Sequence, residues 1–386
     1  MKNKIEYLLK HNMAIQAVYK AVMSAVFKGI GFFIKTDDAL ALFSSYSGKR
    51  FDDSPHAIFE EMRAREECKE FKFVWAFNSP EDFEIPEAQK VKMDSLSYFI
   101  TALKAKYWIT NVNIERGLHF KKRSTVYLNT WHGTGAKKVG NAVSGRNDYD
   151  FSSVDIISSD GPLLNEIMIR DFNANEDSLL LCGRPREDSL YAFTSGDSKR
   201  IRSNLGISEG AKVVLYAPTW RESTDGGLSF DFAPPVHIDK WKSLIGDDTV
   251  ILFRAHSIMT KVFNIEDSDY VIDCSDYQVL NELMFISDIL ISDYSGIFMD
   301  FSIQGKPIFS FAFDFDEYMN NRGVYFDTRD YITTFYDEDS MIEYLHCFDY
   351  EAEAEKAKYF FNKFAGYGGN ASKTCVDRML EIGHCD

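Results

Sequence analysis

Residues 154–172 read VDIISSDGPLLNEIMIRDF, and residues 289–304 read ILISDYSGIFMDFSIQ. Each stretch opens on a short apolar run, passes through a Ser/Asp elbow and continues at helical length. Val154–Ser158 and Ile289–Ser292 read as strands; Pro162–Phe172 and Gly296–Gln304 read as helices. A strand that ends in small polar residues directly before a helix is half of a β/α unit. Such units in series give a parallel sheet covered on both faces.

The same alternation extends in both directions. Upstream, strands are expected at Ala39–Ser45, Phe71–Phe77, Tyr107–Asn111 and Thr125–Trp131, with helices at Pro55–Cys68 and Leu96–Lys104. Ser178–Cys182 is a further strand. Thr194-Ser-Gly-Asp-Ser198 is polar and reads as a turn-like break, after which the series restarts. A helix (Lys199–Leu205), strands at Lys212–Ala217 and Thr249–Arg254, a helix (Asp276–Ile286) and a strand (Pro307–Phe311) follow. A Gly/Ser/Pro-rich insert occupies 222–236, and a long helical region begins near Glu351. A chain of 386 residues is too long for one ordinary core. The expectation is an α/β protein with two doubly wound domains, 37–195 and 196–386, the last helix packing back on the first. Ligands in such folds sit beyond the C-terminal ends of the strands.

Acidic residues outnumber basic ones, 59 to 43, for a net charge of −16. That excludes a general nucleic-acid-binding surface, which needs a basic face. The six cysteines stand apart, with no CxxC spacing and no Cys/His cluster, so a reduced protein without a bound metal or other cofactor is expected. Residues 1–36 differ from the rest. They carry six lysines and one acid, +5 in all, which leaves −21 for the remainder. On a helix, Lys2, Lys10, Lys20, Lys28 and Lys35 share one arc, and Leu8, Ile15, Val18, Val22, Val26 and Phe33 lie opposite. Lysines interrupt every apolar run, so no span is expected. This is the pattern of an amphipathic helix lying in an anionic membrane interface; a core-facing surface helix is the alternative.

Chemistry concentrates at strand ends. Thr130-Trp-His-Gly-Thr-Gly-Ala-Lys-Lys138 places His132 directly after an apolar strand. Gly133, Thr134 and Gly135 allow close approach of a substrate, and Lys137 and Lys138 supply positive charge. An imidazole there can take a proton from an attacking hydroxyl. Phe253-Arg-Ala-His256 puts Arg254 and His256 on one face of a second strand end, where they can stabilise charge on a phosphoryl group. In Ser292-Asp-Tyr-Ser-Gly-Ile-Phe-Met-Asp300 a strand yields to a helix start, an anion site for which Ser292, Ser295 and Gly296 are the candidates. Asp293 is expected to cap that helix, and Asp300 to meet a ribose hydroxyl. Thr219 and Arg221 lie in the donor-rich loop Ala217-Pro-Thr-Trp-Arg221. Arg184 and Arg186, in Gly183-Arg-Pro-Arg-Glu-Asp188, fall near the domain boundary, as phosphate ligands or as a salt-bridged turn.

WHGTGAKK, GRPRED, YAPTWR, RAH and SDYSGIFMD, in this order, resemble the CDP-glycerol glycerophosphotransferase family of teichoic acid primases and polymerases and related capsule enzymes. The likeness runs from about Ala39 to Phe313, and more loosely to Asp327. It implies a GT-B fold, two Rossmann-like halves facing a central cleft, and a monotopic enzyme on the inner face of the membrane. By this resemblance His132 is the base on the acceptor side, and His256 attends the donor diphosphate. Ser292, Ser295 and the backbone at Gly296 form the diphosphate-binding helix start. Gly296 stands where the family often has a second serine. The implied reaction moves glycerol phosphate from CDP-glycerol to a lipid-linked saccharide or growing polymer and releases CMP. CDP-ribitol as donor, a nucleotide-sugar glycosyltransferase and a non-catalytic nucleotide- or lipid-binding module stay open as alternatives, as does assembly into a homo-oligomer.

Overall fold

The computed structural model describes residues 13–133, 135–219, 235–255 and 268–384. In chain order the first half comprises α1 (Met13–Phe33), β1 (Asp37–Ser44), α2 (Asp53–Ala64), β2 (Lys72–Phe77), β3 (Ala88–Lys92), α3 (Leu96–Lys104), β4 (Ala105–Thr110), β5 (Val126–Asn129), β6 (Ile156–Ser159), α4 (Pro162–Phe172) and β7 (Leu179–Leu181). After α5 (Asp188–Ala192) and α6 (Ser195–Asn204) come β8 (Lys212–Tyr216), β9 (Thr249–Phe253), β10 (Val271–Asp273), α7 (Leu280–Ile286), β11 (Ile289–Ser292), α8 (Ile297–Ser302), β12 (Ile308–Phe311), α9 (Phe315–Arg322) and β13 (Thr333–Phe335). The chain closes with α10 (Glu338–Leu345), α11 (Tyr350–Phe364) and α12 (Ala371–His384).

These elements form two compact α/β units. The first holds the described residues up to His132, Gly145–Asp188, and those from Tyr367 on; the second holds the described residues of 133–144 and Ser189–Gly366. The first has a seven-stranded sheet in the order β3-β2-β1-β4-β5-β6-β7. The second has six strands in the order β10-β9-β8-β11-β12-β13. Among the described residues every strand pairing within these sheets is parallel, for example Leu42 opposite Val74 and Trp108, and Leu215 opposite Leu252 and Leu290. Counted within each unit, the second order is 3-2-1-4-5-6, the Rossmann arrangement, and the first is the same with a seventh strand added at its end. It reverses direction between β1 and β4, and again between β8 and β11. The crevice at such a reversal, beyond the strand C-termini, is where this fold binds ligands.

Central strands are buried on both faces, so they are continuous apolar runs rather than alternating ones. β4 (AKYWIT) and β9 (TVILF) are buried throughout. In the first unit Phe43, Phe59 and Trp75 share one aromatic core; Phe43 stacks on Trp75 at 5.2 Å, and each ring buried in this way contributes about 2 kcal/mol. α12 adds Cys375, Val376 and Met379 to that core and so belongs to the first unit. In the second unit Trp241, Phe253, Ile291 and Phe309 play the same part.

The structure differs from the sequence expectation at several elements. Thr194–Ser198 is not a turn but the opening of α6. Thr194 Oγ1 accepts from Asp197 N–H, and Asp197 Oδ2 accepts from Thr194 N–H (3.0 Å), a reciprocal capping box. The strand expected to reach Trp131 stops at Asn129, because Trp131 turns into the left-handed region (φ 49°). β3, β10 and β13 are edge strands whose short, mostly half-exposed sequences carry little period-2 signal.

α1 is oriented by its small and aromatic residues. Phe27 is buried, stacked on Phe99 at 4.4 Å and tilted against Phe120 at 5.6 Å. Ser24 Oγ accepts from His119 N–H (3.0 Å), and Gly31 lies against Leu103. On the opposite side Val18 (64%), Val22 (55%), Val26 (45%) and Phe33 (86%) are exposed. A core-facing helix would bury that row. Among the described residues no helix is long and apolar enough to cross a membrane.

Candidate active site

In the first unit the site is built on the ends of β1, β4 and β5. β5 delivers Asn129, whose Oδ1 accepts from Trp131 N–H (2.8 Å) and holds the sharp turn that presents His132. His132 Nδ1 lies 2.6 Å from the main-chain oxygen of Asn111, the residue after β4. A carbonyl oxygen only accepts, so Nδ1 carries the proton and Nε2 keeps its lone pair. The imidazole is flanked by Trp131 (4.3 Å between ring centroids) and by the ring of Tyr46 (5.2 Å, edge-on).

Tyr46 follows β1. Its N–H donates to Asn111 Oδ1 (2.8 Å) and its hydroxyl to Asp53 Oδ2 (2.9 Å). Asp53 opens α2 and is 7% exposed. Arg186 Nη1 donates both to its Oδ2 (3.1 Å) and to the main-chain oxygen of His132 (3.2 Å). Burial pushes the Asp53 carboxyl up, but Arg186, the Ser54 N–H, the Tyr46 hydroxyl and the Asn111 side chain outweigh it and hold it below the ordinary carboxylate range. Burial, reinforced by the Asp53 charge, pushes the Tyr46 phenol far above its ordinary value, so it stays a hydrogen-bond donor.

Arg184 is placed differently from a phosphate ligand. It is buried, paired with Asp160 and 3.4 Å from Glu187. The GRPRED stretch is thus a salt-bridged turn, and Arg186 is its member directed at the His132 backbone. Gly183 opens this turn at φ +92°, with room for no side chain: a Cβ there would meet Gly368 Cα at 2.5 Å.

In the second unit the ends of β8, β9 and β11 converge. Ser292 Oγ donates to the Ala217 carbonyl (2.6 Å), and Ser310 Oγ donates to the Asp293 carbonyl (3.2 Å). The Asp293 carboxylate accepts from Thr219 N–H (3.0 Å), from the Thr219 hydroxyl and from Tyr294 N–H (2.7 Å). Asp293 therefore does not cap α8. It lies three residues too early, its carboxylate is turned back onto the loop after β8, and the N-cap position is Gly296. Ser295 Oγ accepts from Ile297 N–H at the helix start (3.3 Å). Asp300 is buried within α8. Arg254 Nη1 donates to the carbonyls of Cys274 (2.8 Å) and Tyr277 (2.6 Å), which fixes the guanidinium at the end of β9.

The WHGTGAKK motif is divided between the units. His132 belongs to the first, whereas Gly133 and the residues after it belong to the second. Ala136 O accepts from Tyr325 N–H (2.6 Å), Lys137 bridges Val324, and Lys138 N–H donates to Gly323 O (3.2 Å). Gly135 (φ +142°) lies against Gly296: a Cβ on it would be 3.4 Å from Gly296 Cα. Two motifs far apart in sequence thus meet backbone to backbone. Beside them Ala136, Lys137, Tyr294, Tyr318 and Phe326 help to line a small recess.

His256, Arg221 and Thr134 lie outside the described residues. Among the described residues no His/Cys/Asp/Glu group is arranged to hold a metal ion. Sequence reasoning missed Tyr46, Asp53 and Asn111. The one available signal was that β1 and β4, like β5, end in polar residues: Ser44-Ser45-Tyr46 and Thr110-Asn111.

The profile of the CDP-glycerol:poly(glycerophosphate) glycerophosphotransferase family matches residues 27–381. A teichoic acid poly(glycerol phosphate) polymerase of Bacillus spizizenii is 29% identical over 98% of this chain and 100% of its own length. A teichoic acid glycerol-phosphate transferase of Staphylococcus aureus is 30% identical over 85% of each chain. The structure of a variant of the wall teichoic acid polymerase TagF soaked with CDPG superposes with a TM-score of 0.80, at 27% identity, over 100% of this chain and 98% of that one. With the motifs in order and both Rossmann-like sheets in place, the chain belongs to the CDP-glycerol:poly(glycerophosphate) glycerophosphotransferase family.

Proposed function

We propose that the protein transfers glycerol phosphate from CDP-glycerol to a hydroxyl of a lipid-linked saccharide or growing polymer in teichoic acid synthesis, with release of CMP. The observation that carries this reading is the bond from His132 Nδ1 to the Asn111 carbonyl, which leaves Nε2 as an acceptor in the turn beyond β5. Nε2 takes the proton of the acceptor hydroxyl as its oxygen attacks the β-phosphorus. The new P–O bond forms as the bond to the bridging oxygen breaks, and CMP carries that oxygen away. Phosphoryl transfer of this kind asks for positioning and charge neutralisation rather than covalent help. Lys137, Lys138, Arg254 and His256 supply positive charge, while Ser295 and the amides at Gly296 supply donors for the diphosphate; Ser292 and Thr219, whose donors are held by the Ala217 carbonyl and by Asp293, brace the loops around it.

The membrane reading has its own support. The exposed row Val18, Val22, Val26 and Phe33 presents an apolar stripe to the surroundings, with Lys28 and Lys35 also exposed. A helix with such a stripe and flanking lysines suits a lipid surface of negative charge, with the enzyme peripheral on the cytoplasmic face.

The test is incubation with CDP-glycerol, or with CDP-ribitol, and a lipid-linked saccharide, followed by mass analysis. CMP together with an acceptor heavier by one glycerol phosphate is the expected result. Release of CDP or UDP from a nucleotide sugar would mark a glycosyltransferase. His132→Ala should lower kcat by at least about 100-fold while CDP-glycerol still binds; wild-type turnover would refute the base assignment.

A further inference from the structure

We propose that Asp53, Arg186 and Tyr46 act together as the positioning set for His132, with the Asp53 carboxylate as the node. This rests on His132 being the base. Two segments far apart in sequence meet here: the connection from β1 into α2, which carries both Tyr46 and Asp53, and the turn after β7, which carries Arg186. Asp53 Oδ2 accepts from both the Tyr46 hydroxyl and Arg186 Nη1. Through Tyr46 the node sets a ring against the imidazole edge. Through Arg186 it fixes the His132 carbonyl and with it the peptide that leads into the glycine loop. Asn111 closes the ring of contacts, because its carbonyl takes His132 Nδ1–H and its side chain takes Tyr46 N–H.

The backbone supports a functional origin for this arrangement. Among the described residues eight non-glycine residues have positive φ, and four of them are Tyr46 (45°), Ser47 (55°), Asp53 (63°) and Trp131 (49°). Left-handed backbone in such side chains is unfavourable, and it persists where surrounding contacts hold it. Here those contacts converge on one imidazole. A salt bridge needed only for stability would not require its acid, its tyrosine partner and the residue before the histidine all to be strained.

The experiment compares Tyr46→Phe, Asp53→Asn, Arg186→Gln, Arg186→Lys and His132→Ala in steady-state CMP release, with melting temperatures measured in parallel. Tyr46→Phe keeps the ring and removes only the hydroxyl, so it tests the node even if a charge variant folds poorly. Expected is a fall in kcat of about tenfold or more for Asp53→Asn and Arg186→Gln and a smaller fall for Tyr46→Phe, because small misplacements of a reacting group are costly. KM for CDP-glycerol should stay within about twofold, since no donor-binding group is altered, and Arg186→Lys should recover part of the loss. Wild-type kcat in folded Tyr46→Phe and Arg186→Gln, with His132→Ala inactive, overturns the positioning set alone. Wild-type kcat in His132→Ala overturns the base reading and the positioning set with it. Losses in kcat that merely follow the loss of folded protein, with Tyr46→Phe unchanged, also overturn the positioning set.

Discussion

His132 has the proton on the nitrogen that faces Asn111, and this one bond decides which side of the ring does chemistry. Gly135 is equally constrained. At φ +142° and within 3.4 Å of Gly296 Cα at its Cβ position, Gly135→Ala should lower activity by about tenfold while costing about 1–2 kcal/mol, read from turnover and thermal melts of the same preparation. Lys306 provides a pH test away from the site. It is largely buried, its ammonium donating to the Phe285 and Ser287 carbonyls, and burial pushes its pKa down to about 8. The unfolded chain, with a lysine pKa near 10.4, binds more protons between the two values, so stability should rise with pH from about 8 to about 10. Denaturant titrations of wild type relative to Lys306→Met should show that rise, up to about 3 kcal/mol. At this scale His132 and Lys137 can be named as candidates from the sequence alone, because a histidine after an apolar run and lysines after glycines are local patterns. Tyr46 and Asp53 were not. Their partners lie 86 and 133 residues further along the chain (His132 and Arg186), and left-handed backbone at Tyr or Asp leaves no mark in composition.

Among the elements, strand–elbow–helix units were the most legible. Leu96–Lys104, Pro162–Phe172 and Ile289–Ser292 fall where the sequence places them. Edge strands such as β3 (AQKVK) were lost, because a strand exposed on one side and paired on one edge has no apolar period to read. The polar start of α6 was lost for another reason: Thr-Ser-Gly-Asp serves a turn and a helix cap equally well, and only the reciprocal Thr194–Asp197 bonds distinguish them. Thr194→Ala should cost about 1 kcal/mol, visible as a lower denaturation midpoint at unchanged m-value. α1 carries the membrane prediction. The double variant Val22→Glu/Val26→Glu places two carboxylates on the exposed row and touches none of the buried contacts of Phe27. It should abolish sedimentation with anionic vesicles without changing the melting temperature by more than a degree or two, and raised salt should weaken the wild-type association.

On the scale of the whole molecule, two doubly wound parallel-sheet halves were anticipated from the β/α series. The connectivity was anticipated only in part. The sequence suggests a boundary near residue 195 and a last helix that returns to the first domain, and the chain does return after Gly366; it also crosses after His132 and Ser144, and passes to the second unit after Asp188. The physical cause is local: residues 136–138 pair with 323–325 in the second unit, and α12 completes the aromatic core of the first. Recombination of this enzyme with relatives is thereby constrained. A hybrid joined once near residue 195 would inherit a glycine–lysine loop from one parent and the Gly296 and Val324 surfaces that receive it from the other. A workable exchange of the second unit between relatives has to carry residues 133–144 along with 189–366 as one inherited block.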